Sequence, residues 1–264
     1  MTSDNFVIQA KDICMNFGGV SALVNVNLDI AQGVIFGLIG PNGSGKTTFF
    51  NVISGYYKPS SGEISFAGRK IQNMKSDEIC KLGMTRTFQA TTLFHEMSVL
   101  QNVYLGSYLQ VKSNFFSTLI RTSSHLREEK EITRRSTELL EYMEIDTLKD
   151  ELVKNLPHGH QRRLGIAIAL APKPKLLLLD EPITGMNPTE ASHLMDLIRK
   201  IRDEMKITVI LIDHNMRAVL GICDKLTVLN HGQKLFEGSP REVVQNKEVI
   251  EAYLGTSEGA EDVF

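Results

Sequence analysis

The sequence predicts an α/β protein built on a mostly parallel sheet that is covered by helices. Three short apolar runs, at Val34–Ile39, Lys175–Asp180 and Ile207–Ile212, have the length and composition of buried strands. A helix is predicted between the second and third runs, from about Glu190 to Met205. Because strands that alternate with helices favour parallel pairing, these elements indicate a parallel sheet.

The composition is ordinary for a globular protein and gives no sign of nucleic-acid binding. The 264 residues are 42% hydrophobic and 23% charged, with a formal net charge of -2. No apolar stretch reaches the ~20 residues of a membrane-spanning helix, and the first residues lack the pattern of a secretory signal. We therefore expect a cytoplasmic protein that acts at a membrane only as a peripheral subunit. Cys14, Cys80 and Cys223 are far apart and have no metal-binding spacing.

Helical patterns dominate the middle of the chain, from His95 to Leu156. Four apolar residues fall at helix spacing with charged residues between them: Ile132, Leu139, Leu140 and Met143. The segment Val111–Arg127 is less regular, and either a helical insertion or a mobile loop fits it. We interpret the region as a separate helical lobe. Near the end, the apolar residues of Val249–Leu254 predict one short helix, followed by a frayed tail.

A phosphate-binding loop is predicted immediately after the first buried strand. Residues Gly40 to Thr47 match G-x-x-x-x-G-K-[ST], and a helix is predicted from Lys46 to about Ser54. Glycines let backbone N–H groups curve around phosphate oxygens, the lysine supplies a point charge, and the threonine offers a hydroxyl to Mg²⁺. The predicted nucleotide-binding residues of this loop are Gly40, Pro41, Asn42, Gly43, Ser44, Gly45, Lys46, Thr47 and Thr48.

Two carboxylates end the second buried strand, at Asp180 and Glu181. The carboxyl ends of strands in a doubly wound sheet face the ligand crevice. Asp180 is then placed to join the Mg²⁺ shell, and Glu181 to orient or deprotonate the attacking water. An ordinary Asp-Glu-Pro turn is the alternative, and the phosphate-binding loop upstream favours the catalytic interpretation.

Several further motifs follow one another in a recognisable order. They are Phe17 ahead of two glycines, Phe88-Gln89, Leu156-Pro157-His158-Gly159-His160-Gln161, Thr184-Gly185-Met186-Asn187, and His214 after a strand. With the phosphate-binding loop and the Asp-Glu pair, this series resembles the ATPase subunit of an ATP-binding cassette transporter over nearly the whole length. Taken singly, Phe17, Gln89 and His214 have structural or solvent-exposed interpretations.

The resemblance implies a RecA-like P-loop NTPase core at about residues 1–90 and 165–240. It also implies an antiparallel β-subdomain at the N-terminal side, an inserted helical subdomain at about residues 91–164, and a C-terminal helix and tail at residues 241–264, with the whole domain at residues 1–255. ATP and Mg²⁺ are the implied cofactors. Phe17 is expected to stack on adenine, Gln89 to join the Mg²⁺ shell and sense the membrane subunit, and His214 to contact the γ-phosphate. Lys46, Gln89, Glu181 and His214 form the implied catalytic set.

The segment Leu156–Gln161 departs from the family's L-S-G-G-Q signature at Pro157 and His160. In this family each ATP site pairs one subunit's phosphate-binding loop with the other subunit's signature. Pro157 has neither a hydroxyl nor a backbone N–H to donate to the γ-phosphate. Gly159 and the N-terminus of a helix beginning near His160 are the remaining donors. The departure therefore affects only the half-site that this subunit lends.

The chain also resembles the ATPases of branched-chain amino acid importers. This resemblance lies in the residues of the signature segment, in the Glu181–Pro188 segment and at the chain end. Such an assembly implies two membrane permeases, a second and different ATPase, and indirectly an extracytoplasmic binding protein, with this subunit peripheral on the inner membrane and no nucleic acid. A related urea or amide importer and an exporter are alternatives. A cassette ATPase outside transport and a P-loop kinase fit the motif series less well.

Overall fold

The computed structural model of the protein describes residues 6–87, 93–107 and 123–254. Its strands are, in chain order, β1 (Phe6–Phe17), β2 (Val20–Ala31), β3 (Ile35–Ile39), β4 (Ser61–Phe66), β5 (Arg69–Lys70), β6 (Met84–Arg86), β7 (Leu176–Asp180), β8 (Thr208–Ile212), β9 (Lys225–Asn230) and β10 (Gln233–Gly238). Its α-helices are α1 (Lys46–Ile53), α2 (Ser76–Leu82), α3 (Val99–Ser107), α4 (Ser123–Tyr142), α5 (His158–Leu170), α6 (Pro188–Met205), α7 (Met216–Ile222), α8 (Pro240–Gln245) and α9 (Lys247–Leu254). Within these ranges, every helix is too short or too polar to cross a membrane.

The strands form two sheets of different type. A four-stranded antiparallel sheet has the order β2-β1-β4-β5. A six-stranded sheet has the order β10-β9-β3-β8-β7-β6 and is parallel except for the edge strand β10. The prediction of a mostly parallel sheet with an antiparallel subdomain at its N-terminal side is confirmed. The strands β5, β6 and β10 are additions that the sequence patterns did not indicate.

The main sheet is buried on both faces, which explains its uninterrupted apolar strands. In β7, Leu176 and Leu178 pack into one core while Leu177 and Leu179 pack into the other. All four side chains are fully buried. Side chains alternate across a strand, so only a sheet covered on both sides requires consecutive leucines.

The carboxyl ends of three parallel strands lie along one edge of the main sheet. β8 pairs with β3 on one side and with β7 on the other, with Asp180 directly opposite Ile212. The residues that follow these strands are Gly40 after β3, Glu181 after β7 and Asp213 after β8. The topology therefore gathers the phosphate-binding loop and the predicted carboxylates at one place.

The helical lobe is built from α3, α4 and α5. Leu140 and Met143, which the helix spacing predicted to face inward, are fully buried. Short 3₁₀ turns at Asp146–Leu148 and Val153–Asn155 connect α4 to α5. The predicted lobe boundary at about residue 164 falls within α5, so this division of the chain stays a prediction. Residues 111–122 of the irregular segment lie outside the described ranges.

Candidate nucleotide-binding site

The phosphate-binding loop adopts backbone conformations that favour glycine. Gly40, Gly43 and Gly45 have φ angles of 148°, 76° and 101°. A Cβ atom at Gly40 would lie only 2.1 Å from the carbonyl oxygen of Leu229, whereas a Cβ at Gly43 would meet no atom within 4 Å. Glycine is thus needed at the first position for space and conformation together, and at Gly43 for conformation alone.

Lys46 forms hydrogen bonds to backbone carbonyl groups of the phosphate-binding loop. Its Nζ donates to the carbonyl oxygens of Gly40 at 2.7 Å and Pro41 at 2.9 Å. Burial lowers the pKa of this ammonium, while the charges of Glu181 and Asp180 act in the opposite direction. The ammonium therefore lies in the curve of the loop, close to the two carboxylates.

The helix after the loop presents an uncapped N-terminus. Gly45 is the N-cap residue of α1 in the left-handed conformation, and no side chain caps the first turn. No acidic residue lies in that turn. The positive end of the helix and its first N–H groups are therefore available to bind an anion at the loop. Thr47 and Thr48 lie in this first turn.

Asp180 is a buried carboxylate with a specific cationic partner. Arg86 Nη2 donates to Asp180 Oδ2 at 2.7 Å, and the two side chains are only 10% and 8% exposed. Arg86 Nη1 donates to Asn51 Oδ1 of α1 at 2.6 Å. Asp180, the carboxylate predicted to join the Mg²⁺ shell, is therefore linked through Arg86 to α1, the helix that follows the phosphate-binding loop. Sequence reasoning identified neither Arg86 nor Asn51.

Glu181 has a strained backbone at the edge of the sheet. Its φ is 48°, an uncommon conformation for a residue with a side chain, and its N–H donates to the carbonyl of Ile212 at 2.7 Å. Its Oε1 lies 3.8 Å from Nδ1 of His214, and its Oε2 accepts from Thr184 Oγ1 at 3.4 Å. The structure thus brings Glu181 and His214 close together, while their predicted roles stay predictions.

Asp213 connects the two loops that carry Glu181 and His214. Its carboxylate is buried and accepts from the backbone N–H groups of Asn215 at 2.9 Å and Ile183 at 3.4 Å. Burial raises its pKa. The interactions fix the loops that carry Glu181 and His214 relative to each other. Asp213 was missed because a single aspartate after a strand has no motif of its own.

Phe17 lies at the end of β1 and is 42% exposed. Its ring meets the ring of Tyr57 edge-on, with centroids 5.2 Å apart. The Phe17 side chain is thus partly exposed and accessible to a ligand. Gln89 and Phe88 lie outside the described residues.

The signature segment begins α5 two residues earlier than expected. The helix starts at His158, with Pro157 as its N-cap at φ -56°, two residues before the expected start near His160. Proline fits before a helix because the first N–H groups have no intrahelical acceptor. A Cβ on Gly159 would be nearest to Glu190 and Met186. Gly159 therefore borders α6 and the preceding loop rather than this chain's own phosphate-binding loop.

Comparison with known proteins agrees with this geometry. Residues 23–184 match the ABC transporter family, and residues 233–259 match a family described as branched-chain amino acid ATP-binding cassette transporter. The chain is 39% identical over 249 residues to the high-affinity branched-chain amino acid transport ATP-binding protein LivG of Salmonella typhimurium, covering 94% of this chain and 98% of that protein. The corresponding BraF protein of Pseudomonas aeruginosa is 37% identical over the same shares.

A solved structure extends the similarity to the fold. A nucleotide-free ATP-binding cassette from an ABC transporter superposes with a TM-score of 0.83 at 30% identity. The match covers 94% of this chain and 98% of that chain.

Proposed function

The chain belongs to the ATP-binding cassette transporter family, and from this premise we propose that it binds and hydrolyses ATP to drive a branched-chain amino acid importer. The observation that carries the substrate class is the match of residues 233–259 to a branched-chain cassette family, together with the relatives named above. No residue of this subunit contacts the amino acid in our proposal. Its substrate class follows from the assembly to which it belongs.

The phosphate-binding loop is proposed to receive the ATP phosphates. Its backbone N–H groups and the N-terminus of α1 face an anion. Lys46 exchanges the carbonyl oxygens of Gly40 and Pro41 for phosphate oxygens, and these anionic partners stabilise the charged ammonium that partial burial destabilises. Phe17 provides a partly exposed aromatic side chain for the adenine ring.

The polar groups beside the loop fit a magnesium ion. The Thr47 hydroxyl and the Asp180 carboxylate are oxygen donors, which Mg²⁺ prefers together with phosphate oxygens. Gln89, which lies outside the described residues, enters the proposed magnesium shell only through the motif resemblance. When bound, the ion neutralises phosphate charge. The structure supports this through the buried position of Asp180 at the sheet edge.

Glu181 is proposed to orient or deprotonate the attacking water, and His214 to contact the γ-phosphate. The strained backbone at Glu181 and the nearby His214 form a preorganised pair at the strand ends. Glu181→Gln keeps the shape and removes the base. ATP hydrolysis should fall by about 100-fold or more, while ATP binding measured with a fluorescent analogue should stay near the wild-type value.

The permease contact is proposed for a cavity of about 310 Å³ between α2, β6 and α5. Thr87 and Leu93, which flank the segment carrying Gln89, both line it. Gly165 and Ile168 also line it, so this wall is apolar. We expect Ile168→Arg to impair assembly with the permeases while ATP binding is retained, and Ile168→Val, which keeps this wall apolar, serves as the control.

The whole proposal is tested by transport. The chain would be purified with its two permeases and the second ATPase, reconstituted in vesicles and supplied with a binding protein. Uptake of leucine, isoleucine or valine that stops with Glu181→Gln is the expected result. Uptake restricted to urea or amides, or transport in the outward direction, contradicts it.

The altered signature leads to a finer proposal of two unequal ATP sites. The site built on Glu181 of this chain takes its signature from the partner, whereas the other site receives the segment with Pro157. The first site should therefore hydrolyse faster. Glu181→Gln here and the matching change in the partner are compared separately in the complex, and equal losses of ATPase activity would refute the inequality.

A further inference from the structure

Arg86 is held in one position by partners on two elements. One Nη atom donates to Asp180 of β7 and the other to Asn51 of α1, at 2.7 and 2.6 Å. Its guanidinium also lies over the ring of Phe50, 5.6 Å from the centroid. Because the side chain is 10% exposed, its charge is poorly screened by water. Arg86 is therefore a fixed positive charge in direct contact with the metal-side carboxylate.

Two cations offset the charge of the carboxylates at Asp180 and Glu181. Lys46 and Arg86 are positive and Asp180 and Glu181 are negative, while Asp213 adds a further carboxylate beside Glu181. Lys46 directs its hydrogen bonds to backbone carbonyls, which leaves Arg86 as the direct ion-pair partner of Asp180. Among the described residues no group of three or more His, Cys, Asp or Glu side chains could hold a metal.

We infer that Arg86 is a built-in counter-cation that prevents a divalent metal ion from binding at Asp180 unless nucleotide phosphates arrive with it. This inference rests on the metal role proposed above for Asp180. Phosphate oxygens add the negative charge and the ligands that the protein lacks. Arg86 thus acts as a positioning residue that makes metal binding and nucleotide binding one event.

Removal of Arg86 has two opposing effects on metal affinity. The carboxylate of Asp180 becomes freer to rotate, which weakens metal binding by about a few-fold. The repulsion between the guanidinium and a divalent ion also disappears. At an effective dielectric constant of about 20, a unit charge within several ångströms changes the affinity for a divalent ion by more than about tenfold. The loss of repulsion is therefore the larger effect, and a variant without the charge of Arg86 should bind the metal ion more tightly.

Three variants separate charge from positioning. Arg86→Gln and Asn51→Asp each make the net charge of the cluster one unit more negative, the second with Arg86 still present. Asn51→Ala removes the hydrogen bond from Arg86 and leaves the charge unchanged. Binding of Mn²⁺ alone to the full chain, without nucleotide, is measured by the electron paramagnetic resonance signal of free Mn²⁺, after far-UV circular dichroism has established that each variant is folded.

The expected result is that Arg86→Gln and Asn51→Asp bind Mn²⁺ at least about tenfold more tightly than the wild type, while Asn51→Ala binds it like the wild type. Unchanged or weaker Mn²⁺ binding by the two charge variants overturns the inference. If Arg86→Gln does not fold, Asn51→Asp decides the question.

Asp180→Asn distinguishes failure of the inference from failure of the proposed metal role. With Mn²⁺ and ATP together, this variant should bind Mn²⁺ more weakly than the wild type. Unchanged binding removes Asp180 from the metal site and overturns both ideas. Weakened binding without an effect of the charge variants overturns only the role of Arg86.

Discussion

The two glycines of the phosphate-binding loop allow backbone strain to be separated from steric overlap. Gly43→Ala places a Cβ in open space, so only the left-handed φ of 76° opposes it, at a cost of about 1–2 kcal/mol. Gly40→Ala has a φ of 148° and a Cβ 2.1 Å from the carbonyl oxygen of Leu229. Overpacking adds about 1–3 kcal/mol, and a backbone oxygen within a sheet has little room to move. We expect Gly40→Ala to lose about 2–5 kcal/mol in total.

The assay is thermal unfolding followed by far-UV circular dichroism, because the chain has no tryptophan for intrinsic fluorescence. Each 1 kcal/mol corresponds to about 2–4 °C in a chain of this size. Gly40→Ala should therefore unfold several degrees below Gly43→Ala, which should itself lie slightly below the wild type. Equal melting temperatures for the two variants would refute the reasoning, since they would show that the overlap with Leu229 is relieved without cost.

Three further predictions concern stability and thiol reactivity. Burial raises the pKa of Glu237, but hydrogen bonds from Lys225 and Lys234 outweigh this effect, so the folded-state pKa is lowered. Glu237→Gln should therefore lower stability at neutral pH. The difference in melting temperature between the variant and the wild type should vanish as pH falls through the carboxyl range. Gly165→Ala lies in α5 with no atom within 4 Å of the new Cβ, and it should stabilise the protein by about 0.5–1 kcal/mol in thermal unfolding, where a decrease would contradict the helix argument. Burial raises the pKa of the Cys223 thiol, so an aromatic disulfide reagent should label it more slowly than Cys14 in the folded protein and at a similar rate after denaturation.

The sequence identified the parts of the fold and site whose residue types have a short-range physical reason. Consecutive leucines in β7 required a sheet covered on both faces, and the glycines of the phosphate-binding loop permitted the positive φ angles that the structure shows. Glu181 and His214 could be assigned to one edge of the sheet because Glu181 directly follows β7 and His214 is the second residue after β8. Parallel strands place such residues along one edge, and the structure puts them 3.8 Å apart.

The contacts of Arg86 could not be predicted in this way. Its strand, β6, is only three residues long, too short for an alternating pattern to emerge. Its partners Asn51 and Asp180 are 35 and 94 residues away in sequence. Only the pairing of β6 with β7 and the packing of α1 bring the three side chains together. Long-range polar contacts of this kind have no local signature, which is also why Asp213 was missed.

The observed start of α5 at His158 indicates which hydrogen-bond donors the altered signature retains. With Pro157 as the N-cap, His158, Gly159 and His160 lie in the first turn of α5. No side chain caps the N–H groups of this turn. The proline removes one hydroxyl from the half-site that this chain lends, but it leaves the helix N-terminus as a donor to an anion. A partner's ATP should therefore still bind against this helix, and the loss should fall on hydrolysis rather than on binding. The inequality between the two sites is then one of rate, which is why the Glu181→Gln comparison must measure ATPase activity and not nucleotide affinity.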